Sequence, residues 1–197
     1  GAVDFALGTD TAGSMRVPAS QCGLFSIRPA RASVPTNGIQ PLSPSFDTPG
    51  WFAKSAAIFQ KVTNAIVKAS SWCPSSVLLD VTALERINGS QAEEIVSLAK
   101  EVEEFFNLPV VEWKSDLAQQ DELRSVFVEI ELFEAWKTYE YDFLNGKIDT
   151  IEDVASRFER GRNISVARFE QAYARLMALR AEIARQFDQS LLIRPTV

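Results

Sequence analysis

A run of small and polar residues near the start of the chain constrains the fold more than any other stretch. Residues 8–20 read Gly-Thr-Asp-Thr-Ala-Gly-Ser-Met-Arg-Val-Pro-Ala-Ser and follow an apolar run, residues 2–7, that predicts a buried strand. Ser14 would then lie on a turn just past the strand, after a Gly13 that can adopt backbone conformations costly for other residues. Such a turn is either an ordinary connection or an anion-binding nest of N–H groups beside an exposed hydroxyl.

The stretch resembles a family signature once the following residues are included. Residues 21–29 read Gln-Cys-Gly-Leu-Phe-Ser-Ile-Arg-Pro. Together, residues 2–29 resemble the second half of the amidase-signature pattern, G-T-D-T-G-G-S-[IMV]-R-[IV]-P-A-S, then C-G and G-[LF]-[KR]-P. Ala12 departs from the pattern, which usually has Gly there. Because a methyl group is tolerated at this position only if φ is negative, we expect a slightly altered loop.

The resemblance implies a role for each residue of the turn. Ser14 falls on the family's nucleophile, while Asp10 and Arg16 fall on positions that hold the loop's shape. The positions of the family's oxyanion hole are occupied by Thr11, Ala12, Gly13 and Ser14. The family activates its serine with a second serine, in a cis peptide, and a lysine. Both lie upstream of the nucleophile and are missing from the thirteen residues before Ser14, and the chain has no histidine.

The rest of the chain alternates strands and helices. Apolar runs predict strands over residues 23–28, 75–81, 109–113 and 190–193, and amphipathic stripes predict helices over residues 53–70, 90–106, 117–144, 151–160 and 164–188. Four prolines predict a loop over residues 30–52. The predicted helix signals are an N-cap at Ser90 with Glu93, an N-cap at Asp149-Thr150, and ends at Asn145-Gly146 and Gly161. This order indicates an α/β fold, and the resemblance implies the amidase-signature fold, a mixed β-sheet sandwiched between α-helices.

Length, charge and cysteine content narrow the class of protein. The 197 residues suffice for one domain, and the net charge of −6 argues against binding nucleic acid or an anionic membrane. No apolar run is long enough for a transmembrane helix. We expect Cys22 and Cys73 to be buried thiols in a cytoplasmic protein. Both ends of the sequence look like cuts, so we expect residues 1–197 to be the C-terminal portion of a single amidase-signature domain that lacks its N-terminal part.

A second segment refines the resemblance. Residues 45–52, Ser-Phe-Asp-Thr-Pro-Gly-Trp-Phe, resemble the family's segment after the signature, and the Trp-Phe pair is closest to the plant and cyanobacterial branch. That branch includes indole-3-acetamide amidohydrolases and a chloroplast import-receptor relative. Trp51 and Phe52 either line an acyl pocket for an aromatic substrate or anchor a long loop on the core.

Three functions are compatible with this resemblance. The first is an amidase that hydrolyses a carboxylic amide to an acid and ammonia through an acyl-enzyme, with no cofactor or metal. The second is a non-catalytic docking or import-receptor module, against which the presence of Ser14 counts. The third is an A-type subunit of a glutamyl-tRNA amidotransferase, which the Trp-Phe segment fits less well. The expected partner is a small-molecule amide, with a homodimer left open.

Overall fold

The computed structural model describes residues 2–68 and 71–196, which form two compact units. The first comprises Gly1–Ala69 and Ser125–Arg175, and the second comprises Ser70–Arg124 and Leu176–Val197. The strands are β1 Phe5–Thr9, β2 Phe25–Ile27, β3 Pro49–Ala53, β4 Ser76–Asp80, β5 Val110–Trp113 and β6 Ser190–Ile193. The helices are α1 Arg16–Gln21, α2 Ala56–Ile66, α3 Val81–Leu84, α4 Gly89–Phe106, α5 Leu117–Leu144, α6 Glu152–Arg162 and α7 Val166–Gln186.

The first unit holds an antiparallel sheet in the order β1-β3-β2. The loop predicted over residues 30–52 is therefore wrong at its end, where β3 forms the centre of the sheet. Pro49 is tolerated because it is the first residue of the strand, a position where its missing N–H does little harm. The prediction that the first strand is buried is also wrong. Phe5 and Leu7 are 48% and 66% exposed, and β1 lies at the edge of the described sheet.

The helices of the first unit pack through α5, which has the predicted bounds. Phe133 of α5 stacks on Phe169 of α7 with ring centroids 4.3 Å apart.

Gly161 does not end a helix as predicted but lies inside α6, where a Cβ atom would clash with the Leu132 carbonyl oxygen. The predicted N-cap at Asp149-Thr150 is wrong too, because Ile151 occupies that position without a side-chain hydrogen bond. A glycine in this helix thus serves close helix packing.

The second unit holds a parallel sheet in the order β5-β4-β6, covered by α4. Its core consists of Val77, Leu79, Ala99 and Ile193. The N-cap of α4 is Asn88 and not Ser90, since the Asn88 carboxamide oxygen accepts the Gln91 N–H at 2.9 Å. The predicted α/β class is confirmed, and the described strands form two three-stranded sheets.

Two further predictions concern the burial of the cysteines and the presence of membrane-spanning helices. Cys22 and Cys73 are exposed free thiols, so the prediction that they are buried is wrong. Cys22 follows the short helix α1 as its C-cap, a position at the end of an element and outside any packed face. None of the helices in the described ranges is long and apolar enough to span a membrane.

Candidate active site

Residues 10–15, which we call the signature turn, connect β1 to α1 in the first unit. The Asp10 N–H donates to the Thr48 carbonyl at 2.8 Å, which fastens the end of β1 to the residue before β3. Ser14 is exposed at the top of the turn, two residues before α1 begins. Within residues 2–68 and 71–196, the Ser14 hydroxyl has no hydrogen-bond partner. The hydroxyl is therefore open to a ligand from solvent.

The buried carboxylate of Asp10 sets the shape of the turn. It accepts N–H groups from Gly13 at 2.8 Å, Met15 at 3.3 Å and Arg16 at 3.2 Å, so the backbone wraps around it. Gly13 has a φ of +128°, which side chains on other residues would strain. Ala12 is not among the residues with positive φ, so the condition under which a methyl group is tolerated at this position is met.

Two arginines complete the surroundings of Asp10. The Arg16 guanidinium donates to both carboxylate oxygens, at 2.9 and 3.0 Å, in the bidentate geometry that Arg favours. Arg28 donates to the Asp10 carbonyl at 3.2 Å and to the Phe46 carbonyl at 2.7 Å. Burial raises the pKa of the Asp10 carboxyl, but the hydrogen bonds and charge of Arg16 outweigh burial, and the pKa lies below its ordinary value of 3.8. Asp10 is therefore a charged brace and a poor base.

The backbone donors of the turn are not equivalent. The Gly13 N–H donates to Asp10 and is therefore engaged in holding the turn. The N–H groups of Thr11, Ala12 and Ser14 have no acceptor among the described residues. Of these four N–H groups, that of Gly13 is therefore the one that the turn itself already uses.

A buried polar network fixes the turn from its other side. The Thr11 hydroxyl donates to Asp47 at 2.6 Å, and Asp47 also accepts the N–H groups of Leu42 and Ser43. The Ser43 hydroxyl donates in turn to Glu134 of α5 at 2.5 Å. The Glu134 carboxylate also accepts the hydroxyl and the N–H of Ser45, at 2.6 and 3.0 Å. Ordering of the turn thus depends on a helix more than a hundred positions further along the chain.

Met15 anchors the turn to the sheet. Its side chain is 1% exposed and lies against Gly8 of β1 and Gly50 of β3, which are paired in the register. A Cβ atom on either glycine would lie 3.1 Å from the Met15 sulfur, closer than ordinary packing. The two facing glycines therefore make room for the residue that follows Ser14.

The two aromatic residues predicted for the pocket point to opposite faces of β3, as neighbours in a strand do. Trp51 is 1% exposed, and its indole N–H donates to the Thr63 hydroxyl at 3.0 Å. Trp51 lines an apolar cavity of about 500 Å³ together with Gly8 and Thr9, while Phe52 is not among the lining residues. The structure therefore brings Trp51, but not Phe52, to the wall of a cavity that also includes Thr9, the last residue before the turn.

Sequence reasoning missed the supports of the turn other than Asp10 and Arg16. Arg28 lies in the signature and Asp47 in the second resembling segment, so both could have been found by asking which signature residues bear charge. Glu134 gives no local signal, because it is one of several acids on a long helix. Among the described residues, no group of three or more His, Cys, Asp and Glu side chains could hold a metal ion.

Comparisons with known proteins agree with the signature. Residues 1–98 match the Amidase family model. Amidase 1 of Arabidopsis thaliana is 55% identical over 60 residues, 30% of this chain and 14% of that protein. Translocon at the outer membrane of chloroplasts 64 of Pisum sativum is 46% identical over 67 residues, 34% of this chain and 11% of that protein.

The fold of this chain is also similar to that of a solved amidase. A crystal structure of an amidase superimposes with a TM-score of 0.76 at 22% sequence identity, over 93% of this chain and 43% of its own. The matched segments thus make up less than half of each of these proteins. By its sequence, the part of the chain that spans residues 1–98 belongs to the amidase family, and the fold of the chain is that of a solved amidase.

Proposed function

We propose that the protein hydrolyses a carboxylic amide to an acid and ammonia, with Ser14 as the nucleophile. The observation that carries the proposal is the exposed Ser14 hydroxyl on a turn whose neighbouring N–H groups have no acceptor among the described residues. Such donors stabilise the negative oxygen of a tetrahedral intermediate if they are positioned before the reaction begins. Asp10, Arg16 and the Thr11–Asp47 hydrogen bond supply that positioning.

The proposed reaction has two halves. The Ser14 oxygen bonds to the amide carbon while its proton passes to a base, and the N–H groups of Thr11, Ala12 and Ser14 hold the resulting oxyanion. The carbon–nitrogen bond then breaks, the nitrogen takes up the proton and ammonia leaves. Water attacks the acyl ester, which releases the acid and restores the serine. The family resemblance implies that the base is the serine–lysine pair upstream of the nucleophile.

We propose an aromatic acyl group for the substrate. The support is the apolar cavity of about 500 Å³ beside Trp51, whose wall includes the residues that precede the turn. We expect Trp51→Ala to raise KM for an arylacetamide more than for a short aliphatic amide, because an aromatic pair contributes about 0.5–1.5 kcal/mol beyond its buried area. Steady-state kinetics on both substrates test this, with Trp72→Ala as the control for loss of an indole. Equal effects on the two substrates would mean that Trp51 only supports the fold.

The decisive experiment on the proposed function replaces the nucleophile. In the intact protein we expect Ser14→Ala to lower kcat about 10³-fold or more, because a covalent nucleophile is lost. The melting temperature should hardly change, since the hydroxyl is exposed. Ser20→Ala, an exposed serine on α1, is the matched control and should retain full activity. A Ser14→Ala enzyme with more than about a tenth of wild-type turnover would exclude the covalent role.

A second candidate is a non-catalytic docking module, which the 46% identity to the chloroplast translocon protein favours. A docking module needs the folded turn but not a reactive hydroxyl. A serine-directed fluorophosphonate probe separates the two functions, because only an activated serine reacts quickly. Labelling of the intact protein that Ser14→Ala abolishes supports the amidase, whereas a folded and unreactive protein supports docking.

A further inference from the structure

A polar cavity of about 200 Å³ lies in the second unit, at the carboxyl ends of all three parallel strands. Its wall includes Thr82, just after β4, Ser115, just after β5, and Arg194, which directly follows β6. The chain leaves the central strand β4 towards β5 on one side and returns to β6 on the other. This change of direction is the place at which open parallel sheets commonly bind ligands.

Three exposed arginines line this cavity, which we call the arginine pocket. They are Arg86, beyond α3, Arg124 of α5 and Arg194. The lining residues include no aspartate or glutamate. Among the described residues, Arg86 and Arg124 form no ion pair with a carboxylate. Their positive charges therefore face one cavity without an internal counterion.

A buried carboxylate next to the pocket, that of Asp80, already has partners within the protein. Asp80 is fully buried, and its Oδ1 accepts the Ser115 hydroxyl at 2.5 Å and the Ala83 N–H at 3.1 Å. Its Oδ2 lies 3.7 Å from Arg194 Nε and has no hydrogen bond among the described residues. Asp80 thus holds Ser115 and Arg194 in place and offsets one of the three positive charges. Arg86 and Arg124 therefore remain to pair with an anion.

We propose that the arginine pocket binds a small anion that bears a phosphate or two carboxylates. Guanidinium groups present paired N–H donors that fit both groups of oxygens. The side chains of Thr82 and Gln120 add uncharged hydrogen-bond donors to the wall. The volume of about 200 Å³ suits an anion of a few heavy atoms and is below the size of drug-like ligand sites, about 300–1,000 Å³. This site is independent of the amidase reaction proposed for Ser14.

The test measures binding to the intact protein by calorimetry and by thermal shift. The two probes are inorganic phosphate and malonate, each compared with sodium chloride at the same ionic strength, because screening alone changes stability. The variants are Arg86→Gln and Arg124→Gln, with Arg185→Gln as the matched control. Arg185 is an exposed arginine of α7 outside the pocket. Neither pocket arginine has an ion pair to lose, so both variants should fold with an unchanged or higher melting temperature.

We expect one or both probes to bind at a single site and to raise the melting temperature above that in chloride. Each pocket variant should bind at least about tenfold more weakly, as the loss of one charge-assisted hydrogen bond predicts, while Arg185→Gln binds like the wild type. Binding of phosphate alone identifies a phosphorylated ligand, and binding of malonate alone identifies a dicarboxylate. The proposal is overturned if neither probe differs from chloride, or if Arg185→Gln weakens binding as much as the pocket variants do.

Discussion

The carboxylate of Asp10 accepts three backbone N–H groups and one guanidinium although it is fully buried. A buried charge is tolerated only where such donors replace its hydration. The donors come from the turn itself, so the same bonds that satisfy Asp10 also hold the backbone on both sides of Ser14. The charge on Asp10 and the geometry of the candidate site are therefore inseparable.

This coupling makes the stability of the fold depend on pH. The pKa of Asp10 is lowered in the folded protein, so its contribution is fully present above its ordinary value of 3.8 and is lost as the pH falls through the lower folded pKa. We expect Asp10→Asn to lower the free energy of unfolding by about 2–4 kcal/mol at neutral pH. Denaturant titrations across the acid range should show the difference from wild type shrinking below pH 3.8.

The control for this comparison is Asp4→Asn. Asp4 is 64% exposed and, within residues 2–68 and 71–196, pairs only with the exposed Lys54, so its removal should change stability little at any pH. A difference between wild type and Asp10→Asn that stays constant down to the acid transition would show that charge on Asp10 does not stabilise the turn.

At the scale of elements, periodic features were predictable and long-range ones were not. The apolar stripe and the Asn-Gly pair correctly predicted the bounds of α5, Leu117–Leu144. Such a helix is predictable because the residues that stabilise it are neighbours along the chain. β3 was missed because Pro49 and Gly50 disfavour a strand locally. Its stability comes from pairing with β1 and β2, which are distant in sequence. The signature likewise identified the turn but not Glu134, whose role rests on a hydrogen bond to a residue 91 positions away.

Gly50 allows a direct test of how the sheet supports the turn. A Cβ atom on Gly50 would clash with the backbone carbonyl oxygen of Ile27 and crowd the Met15 sulfur. We expect Gly50→Ala to lower the free energy of unfolding by about 1–3 kcal/mol, because neither β2 nor the turn can move away freely. Gly89→Ala is the matched control, since Gly89 begins α4 and has nothing within 4 Å of an added Cβ. Equal stability of the two variants in urea would mean that β2 and Met15 shift without cost.

At the scale of the whole molecule, the described residues contain a braced nucleophile candidate but no base for it. The chain has no histidine, and Lys54 forms an ion pair with Asp4. A serine hydroxyl reacts slowly without a base, and a general base contributes about 10²–10⁴-fold. We expect residues 1–197, expressed alone, to react with a fluorophosphonate probe at least about a hundredfold more slowly than an intact homologous amidase.

That measurement needs two accompanying observations. Circular dichroism must show the helical content of the structure, and the Ser14→Ala chain must give the background labelling. Stoichiometric labelling of Ser14 at the rate of the homologue would mean that a base lies among the residues described here.

The hydrogen bond from Ser43 to Glu134 has a consequence for the time at which the turn forms. A contact across 91 positions can close only after the intervening chain exists, and closing so long a loop costs conformational entropy before the contact repays it. On the ribosome, Ser14 emerges well before α5 has been synthesised. The candidate nucleophile is therefore expected to reach its final geometry late in folding, after the sheet strands of its own unit have met, so that a nascent chain carries an unformed site.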